Sequence, residues 1–246
     1  MTSLRLIGPG RAGQSLALAL SRVGWKVLPA LGRGDELTKA AAGVDVLVIS
    51  TPDAAVSTVA AAVEPVPTTA VLHLAGSLGV DALAPHVQRG ALHPLVSIPT
   101  PELGAIRLQG AWFGVAAAGS RARKVVDRIV ADLGGRAVAV DDESRVLYHA
   151  AAAIASNHLV ALLGQVERVA SGARVPLEAY LDLARGSLEN VATLGPGAAL
   201  TGPVARGDWT TVARHRSALA ADELRTYDAL VAGAARLAGR EVPTCK

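Results

Sequence analysis

Three glycines near the start of the chain have the spacing of a phosphate-binding loop. In LRLIGPGRAGQSLALAL, Gly8, Gly10 and Gly13 lie between an apolar run that predicts a strand and an Ala- and Leu-rich run that predicts a helix. Gly8 permits a tight turn, Gly10 lets the backbone approach a pyrophosphate, and Gly13 lets the helix pack against the strand. The helix N-terminus adds free N–H groups and positive potential. The alternative is a glycine-rich turn without a ligand. The residues of the predicted dinucleotide loop are Gly8, Pro9, Gly10, Arg11, Ala12 and Gly13.

The residue that follows the second predicted strand indicates which dinucleotide binds. NAD sites place an acid about 20 residues beyond the glycines, where it binds the ribose 2′-hydroxyl. Here LPALGRGDEL brings Arg33 to that position, and its acids come later. A guanidinium suits a 2′-phosphate, so NADP is predicted in preference to NAD, with Arg11 as a second cation for the same role. A solvated surface arginine is the alternative for Arg33.

Small polar residues follow two further predicted strands, in ISTPDAAV (49–56) and HLAGSLG (73–79). Ligands bind at the carboxyl ends of the strands in open α/β sheets, so we expect these residues to line the cofactor crevice. Asp53 can also cap the helix that follows it. Ser77 is a candidate substrate ligand, with a turn role as the alternative. The expected crevice residues are Ser50, Thr51, Pro52, Asp53, Ala75 and Gly76.

Polar groups stand in a predicted helix, YHAAAAIASNHLVALL (148–163), that is otherwise rich in Ala and Leu. Asn and Ser are mediocre helix formers, so Ser156 and Asn157 indicate a functional role. A nicotinamide cofactor supplies a hydride, and the protein must then hold the carbonyl and manage one proton. We expect Asn157 to orient the carbonyl and His149 to supply the proton. Structural hydrogen bonds between helices are the alternative for both, and His158 points elsewhere.

Two further residues have a candidate role in the same chemistry. His93 in ALHPLVSIP follows a predicted strand, where it forms either a wall of the active site or ordinary packing. Arg206 lies in a predicted Gly- and Pro-rich loop, 194–208, from which its guanidinium can bind a substrate carboxylate in a bidentate pair. Asp208 is expected to cap the helix that begins at Trp209.

Several function classes are not supported by the composition and motifs. The six histidines form no H-E-x-x-H motif, and the single cysteine, Cys245, excludes a disulfide within the chain and a Cys-rich metal site. GPGRAG lacks the Lys-Ser/Thr ending of an ATP-binding loop. The formal charge of +3 is too small to indicate nucleic acid binding. Neither a signal peptide nor a membrane span is recognised, so a cytoplasmic protein without a membrane partner is expected.

The elements that must position these residues change in type along the chain. Continuously apolar runs alternate with helical segments at first, which predicts a parallel sheet covered on both faces. After DDES (141–144) only helices are predicted, the first from about Arg145 to Ser171. The expected architecture is an α/β Rossmann domain that binds NADP, residues 1–143, and an all-α domain for substrate binding and dimerisation, residues 144–246. Strands are predicted over 4–8, 26–31, 44–51, 69–76, 90–95, 112–117 and 136–140, and a short helix near 35–43.

Five motifs spread over nearly the whole chain carry a resemblance to a known group of proteins: IGPGRAG, HLAGSLG, ALHPL, YHAAAAIASNHLVAL and LTGPVARGDWTTVARH. The chain resembles two-domain reductases that join a Rossmann domain to a helical C-terminal domain like that of 6-phosphogluconate dehydrogenase. This superfamily includes pyrroline-5-carboxylate, ketopantoate and prephenate enzymes. The branch most similar to the chain has a C-terminal domain of unknown function, and some of its members are regarded as an alternative class of ketopantoate reductase.

The resemblance implies NADPH at the glycine loop, a substrate site between the domains, and a homodimer through the helix from Arg145. Asn157 would correspond to the polar helix residue that many members use. The implied reaction is reduction of a small 2-oxo acid, with ketopantoate, in pantothenate biosynthesis, as the first expectation. Ordinary ketopantoate reductases use a helix lysine, which this chain lacks, because its lysines are Lys26, Lys39, Lys124 and Lys246. An imine or prephenate-type reaction, suggested by the HPL segment, and an NADP sensor without catalysis are the alternatives.

Overall fold

Seven short strands form one sheet in the computed structural model, which describes residues 1–243. Cys245 and Lys246 lie outside the described residues. The chain divides into two compact units, Met1–Ser156 and Asn157–Lys246. The helical part begins at Arg145, close to the expected domain boundary, and its first helix belongs to the first unit.

The sheet has the order β2-β1-β3-β4-β5-β6-β7. Strands β1 to β5 are parallel, so the predicted parallel sheet is confirmed for most of its width. β6 runs antiparallel to β5, and β7 is parallel to β6. The strands are β1 (Ser3–Ile7), β2 (Lys26–Val27), β3 (Val46–Ile49), β4 (Ala70–His73), β5 (Arg89–Pro94), β6 (Trp112–Ala118) and β7 (Arg136–Ala139).

Helices cover both faces of this sheet. Side chains alternate between the faces along a strand, so a strand in the middle needs apolar residues at every position. In β3, Val46 and Val48 pack into one hydrophobic cluster, while Leu47 and Ile49 pack into the other. Each fully buried aliphatic side chain of this kind contributes about 1.5–3 kcal/mol. The helices of the first unit up to β7 are α1 (Arg11–Arg22), α2 (Val56–Ala61), α3 (Pro101–Arg107) and α4 (Ser120–Asp132).

The antiparallel strand β6 follows from a connection that the sequence analysis did not recognise. Only the seven-residue helix α3 lies between β5 and β6, and it packs against α1. A parallel neighbour requires a crossover, and this connection does not make one. The signal for α3 was present: the Thr100 side chain accepts a hydrogen bond from the Leu103 N–H, and Pro101 occupies the first helical position.

Two predicted elements near the second strand are wrong. The strand expected over 26–31 is reduced to β2 and an isolated bridge between Ile7 and Leu31. The Leu28 and Leu31 N–H groups bond to the Leu4 and Leu6 carbonyls, so this segment has one residue more than a regular ladder accommodates. The helix expected near 35–43 is replaced by turns. Asp35 accepts a hydrogen bond from the Gly32 N–H, and Glu36 accepts one from the Thr38 N–H. Such local bonds compete with helix formation.

The long helix predicted from about Arg145 is confirmed as the helical run Arg145–Gly172, but it is not a continuous α-helix. It consists of α5 (Arg145–Ala153), a π-helical turn at Ile154–His158 and α6 (Leu159–Gly172). By length and composition alone this run is able to span a membrane, with a mean hydropathy of 1.5. Core helices of soluble proteins have the same length and composition.

The second unit is helical throughout its described part. The segment predicted as a loop over 194–208 is largely helical, because α7 continues through a kink at Gly195 and α8 follows. Asp208 caps α9 through the Thr211 N–H at 3.0 Å, as predicted. Gln165 and Arg168 both bond to Glu223 and so join α6 to α10. The remaining helices are α7 (Leu177–Ala199), α8 (Gly202–Arg206), α9 (Trp209–Ala218) and α10 (Ala221–Leu237).

Candidate functional site

The glycine loop follows β1 at the topological switch point of the sheet. β2 lies on one side of β1 and β3 lies on the other. Gly8 has φ +80°, and a Cβ there would lie 2.8 Å from Cγ2 of Thr51. A Cβ on Gly13 would overlap Oγ of Ser50, so α1 packs against the end of β3 only because this residue is glycine. The turn at Gly8 and the close packing at Gly13 are features that a dinucleotide-binding loop requires.

The third glycine of the loop leaves open space for a ligand. Gly10 precedes α1 in an extended conformation, and a Cβ there would meet its first neighbour, the Ser50 carbonyl oxygen, only at 3.6 Å. No side chain caps this end of α1. The first N–H groups of a helix have no acceptor within it, and they suit a phosphate. The loop therefore fits the pyrophosphate of a dinucleotide.

Arg33 lies in the neighbourhood that the 2′-phosphate prediction requires. The Gly8 N–H donates to the Leu31 carbonyl at 2.8 Å, so the segment that follows β2 lies beside the glycine loop. Arg33 follows two residues later and is exposed, as is Arg11 at the start of α1. Asp35 is held by its bond to the Gly32 N–H at 2.7 Å. The arrangement offers two accessible cations for a phosphate group.

The residues after β3 and β4 approach each other. Ser50 donates to the Gly8 carbonyl through its hydroxyl, and the hydroxyl of Ser77 donates to Oδ2 of Asp53 at 2.9 Å. The prediction that Asp53 caps a helix is wrong, because the 3₁₀ turn Asp53–Ala55 begins at Asp53 itself and has Pro52 before it. The Asp53 carboxylate instead joins the two strand ends.

A cluster of aromatic side chains surrounds Gly76 at the same edge of the sheet. His93 lies one residue before the end of β5, and its Nδ1 lies 2.7 Å from the hydroxyl oxygen of Tyr148 on α5. The rings of His93 and His149 meet edge to face, with centroids 5.6 Å apart. A Cβ on Gly76 would lie 2.9 Å from Nε2 of His93 and would overlap Nδ1 of His149. Gly76 thus makes room for two imidazole rings.

His149 has an unsatisfied ring nitrogen at this position. Its Nδ1 is buried and has no hydrogen-bond partner among residues 1–243. Such a nitrogen is costly unless a ligand or water satisfies it. The prediction that His149 belongs to a functional site therefore has support from its surroundings.

Burial determines the protonation states of the cluster. The pKa of His93 is lowered from 6.5 to about 4, chiefly by burial and further by His149 and Arg145, while Asp53 opposes the shift. Burial also raises the pKa of Tyr148. Near neutral pH, His93 is therefore an uncharged imidazole beside a protonated phenol. The His73 pKa is lowered in the same way, and its Nε2 lies 3.1 Å from the Gly79 carbonyl oxygen.

Arg145 places a buried positive charge behind this cluster. It is 1% exposed at the start of α5, and its Nη2 donates to the Val140 carbonyl at 2.9 Å. Its Nε lies 3.5 Å from a carboxylate oxygen of Asp142, and its Nη1 has no partner in the described part of the chain. Its charge contributes to the lowered pKa values of His73 and His93, and it partly offsets the rise in the pKa of Tyr148 that burial causes. The sequence analysis missed both Arg145 and Tyr148.

The other predicted residues occupy the π turn and the second unit. The Ser156 hydroxyl donates to the Ala152 carbonyl at 2.9 Å, and Asn157 follows it on the same turn. π-Helical turns are rare and occur frequently at functional sites. Arg206 is exposed at the end of α8, where Gly207 terminates the helix with φ +73°. Over residues 1–243, no group of three or more His, Cys, Asp or Glu residues is arranged to hold a metal ion.

Solved structures with the same architecture share low sequence identity with the chain. A candidate NADP oxidoreductase of Bacteroides fragilis matches with a TM-score of 0.79 and 21% identity, over 96% of this chain and 98% of that one. A Thermotoga maritima protein has a TM-score of 0.73 and 22% identity over the same shares. A reductive aminase of Aspergillus terreus, solved with NADPH, has a TM-score of 0.69 and 19% identity, over 98% of this chain and 97% of that one. These likenesses confirm the Rossmann fold with a helical C-terminal part.

Sequence comparison identifies the family. No curated protein matches the chain. A family described as Domain of unknown function (DUF2520) matches residues 111–233, which are half of the chain. The match runs from the start of β6 through the π turn to α10. The chain is therefore a member of this family of unknown function, the DUF2520 family.

Proposed function

We propose that the chain is an NADPH-dependent reductase of a small 2-oxo acid, with ketopantoate, the precursor of pantoate, as the first substrate to test. The observation that carries the proposal is the glycine loop, where Gly8 and Gly13 admit no side chain and Gly10 leaves room at the N-terminus of α1. A nicotinamide cofactor supplies the hydride when it is bound. The fold neighbours support the cofactor, since the reductive aminase was solved with NADPH and a Plasmodium falciparum pyrroline carboxylate reductase with NADP.

The cofactor residues follow from this placement. The glycine loop and the N-terminus of α1 bind the pyrophosphate, and Arg33 and Arg11 bind the 2′-phosphate. The residues that end β3 and β4 line the crevice beside the rest of the cofactor. This lining consists of Ser50, Thr51, Pro52, Asp53, Ala75 and Gly76.

The substrate residues are proposed from chemistry as well as position. His149 supplies the proton to the reduced carbonyl, and its buried unsatisfied Nδ1 supports this role. Asn157 orients the carbonyl, and Ser156 stabilises the π turn beside it through its bond to Ala152. Arg206, which is exposed, binds the substrate carboxylate, and Ser77 contributes a hydroxyl near Asp53.

NADPH consumption at 340 nm tests the proposal. Purified protein is assayed with ketopantoate, other small 2-oxo acids, cyclic imines and prephenate, and NADH serves as the comparison cofactor. The proposal expects NADPH oxidation that is fastest with ketopantoate. Tight NADPH binding without turnover of any compound would favour the sensor alternative, for which the missing helix lysine is the supporting observation.

An imine or prephenate-type reaction is the second candidate. It keeps the cofactor and changes only the compound that accepts or donates the hydride. Two observations favour it: the reductive aminase is among the structures with the same fold, and His93 stands beside Pro94 at the end of β5. Turnover of a cyclic imine with no reaction of ketopantoate would establish it.

We also propose that the active form is a cytoplasmic homodimer through the helical part. Large apolar side chains along the run Arg145–Gly172 are uncovered: Leu147 is 76% exposed, Val160 70% and Ile154 60%. Apolar surfaces of this kind mark interfaces. Sedimentation without detergent should give twice the chain mass of 25.0 kDa. A monomer would contradict the proposal, and association with lipid vesicles would favour a membrane as the occupant.

A further inference from the structure

The hydroxyl group of Tyr148 has one hydrogen-bond partner among residues 1–243, and this partner defines the direction of its bond. Its oxygen lies 2.7 Å from Nδ1 of His93. Burial raises the pKa of the phenol, so the hydroxyl keeps its proton near neutral pH. Within residues 1–243 only Nδ1 of His93 is placed to accept that proton, so the phenol donates to the imidazole.

This direction defines the tautomer of His93. A neutral imidazole whose Nδ1 accepts a hydrogen bond carries its proton on Nε2. The low pKa of His93 keeps the ring neutral near pH 7. Nε2 is on the side of Gly76, where a Cβ would lie 2.9 Å from it. The ring consequently presents an N–H toward the Gly76 turn.

We infer that Tyr148 is a positioning residue, whose hydroxyl holds His93 as the Nε2–H tautomer and directs that N–H toward the Gly76 turn as a hydrogen-bond donor for a substrate oxygen. The substrate part of this inference rests on the proposed function, whereas the tautomer does not. A neutral imidazole donor polarises a carbonyl without transferring its own proton. That division of roles leaves His149 to supply the proton.

Gly114 belongs to the same arrangement. It pairs with His93 across β5 and β6, and a Cβ on Gly114 would overlap the hydroxyl oxygen of Tyr148. Gly114→Ala should therefore displace the hydroxyl, whereas Tyr148→Phe removes it and keeps the ring. The two variants disturb the same hydrogen bond by different means. An effect that both share is therefore due to loss of the bond and not to altered packing of the Tyr148 ring.

The chain contains a matched control in its second unit. His215 Nδ1 lies 2.9 Å from the hydroxyl oxygen of Tyr227, and those rings also meet edge to face. Tyr227→Phe removes the same kind of bond at a histidine outside the proposed arrangement. It should leave the signals of His93 unchanged.

Nitrogen NMR of ¹⁵N-histidine-labelled protein tests the inference without substrate. His93→Asn assigns the His93 ring signals in the wild type. The wild type should show His93 neutral at pH 7 with its proton on Nε2. In Tyr148→Phe and in Gly114→Ala, the two ring nitrogens should move toward each other's shifts as the Nδ1–H tautomer becomes populated. A wild-type proton on Nδ1, or identical His93 signals in wild type and Tyr148→Phe, overturns the inference.

A kinetic experiment tests the substrate part once a turnover assay exists. Tyr148→Phe should lower kcat by about tenfold, part of the 10²-fold or more that positioned donors contribute, with the Kd for NADPH unchanged. An unchanged kcat beside an altered tautomer would contradict the role of His93 toward substrate. Failure of every substrate would overturn the proposed function and leave the NMR result standing.

Discussion

The hydroxyl oxygen of Tyr148 lies 2.7 Å from Nδ1 of His93, across 55 positions of the chain. This bond connects the first turns of the helical run to the end of β5. The next residue of the helix, His149, lies against Gly76. Contacts from the start of α5 therefore complete the edge of the sheet where a cofactor is proposed to bind. Arg145, one turn earlier, adds a buried charge to the same edge.

Replacing Gly13 with Ala should damage both the fold and cofactor binding. The new methyl group overlaps Ser50 Oγ and forces α1 away from β3, at a cost of about 1–3 kcal/mol in unfolding free energy. Urea unfolding measures this loss, and calorimetry should show weaker NADPH binding. Gly233→Ala in α10 is the matched control, since its methyl meets no atom within 4 Å. That control should be neutral or stabilising by about 0.5–1 kcal/mol. Equal stability of Gly13→Ala and wild type would contradict the close packing.

Replacing Arg33 with Ala should change the cofactor preference. A charged hydrogen bond to the 2′-phosphate contributes about 1.5–3 kcal/mol, so its loss should raise the Kd for NADPH by about tenfold to a hundredfold. NADH has no 2′-phosphate, and its Kd should stay the same. Fluorescence titration of both cofactors provides the comparison. If Arg33→Ala weakens the binding of NADPH and of NADH equally, the arginine does not bind the 2′-phosphate.

Acid should destabilise the wild type more than a variant without His93. The pKa of His93 is lowered to about 4 in the folded chain, against 6.5 for an exposed histidine. Between these values the unfolded chain binds the extra proton, so the contribution is present above pH 6.5 and is lost as pH falls toward 4. From pH 7 to pH 5 the wild type should lose about 2 kcal/mol more than His93→Asn. Urea unfolding at both pH values measures the difference. If wild type and His93→Asn lose the same unfolding free energy, His93 is not held as a buried neutral imidazole.

Replacing Asn157 with Ala should lower turnover more than NADPH affinity. The amide is proposed to orient the substrate carbonyl, an interaction that cofactor binding does not need. Steady-state kinetics with the best substrate of the 340 nm panel, beside an NADPH titration, separates the two effects. His158→Ala on the same π turn is the control and should keep most of the turnover. Unchanged turnover in Asn157→Ala would remove this residue from the account.

Much of the first unit could be predicted because its elements have local signals. Apolar strands such as β3 and the spacing of Gly8, Gly10 and Gly13 each reflect a physical need that neighbouring residues satisfy. The antiparallel β6 had no such signal, since direction depends on the route of the whole connection. The short helix α3 had one, the Thr100 cap, which the hydrophobic pattern did not reveal.

The partners of His93 could not be predicted for a related reason. Tyr148 and Arg145 have ordinary residue types for the start of a helix, and only the tertiary fold brings them to β5. The π turn was equally hidden, although its residues had been noticed as unusual polar groups in a helix. Its i→i+5 hydrogen bonds rotate every later residue relative to a regular α-helix, so faces predicted at a constant angle do not continue past Ile154.

The central claim is that the glycine loop binds NADPH, and titration calorimetry of the purified chain tests it most directly. The account predicts saturable binding of NADPH at one site per chain, with a Kd on the order of 1–100 μM and NADH at least about tenfold weaker. Absence of binding by either cofactor at millimolar concentration, from a protein shown to be folded, would contradict it.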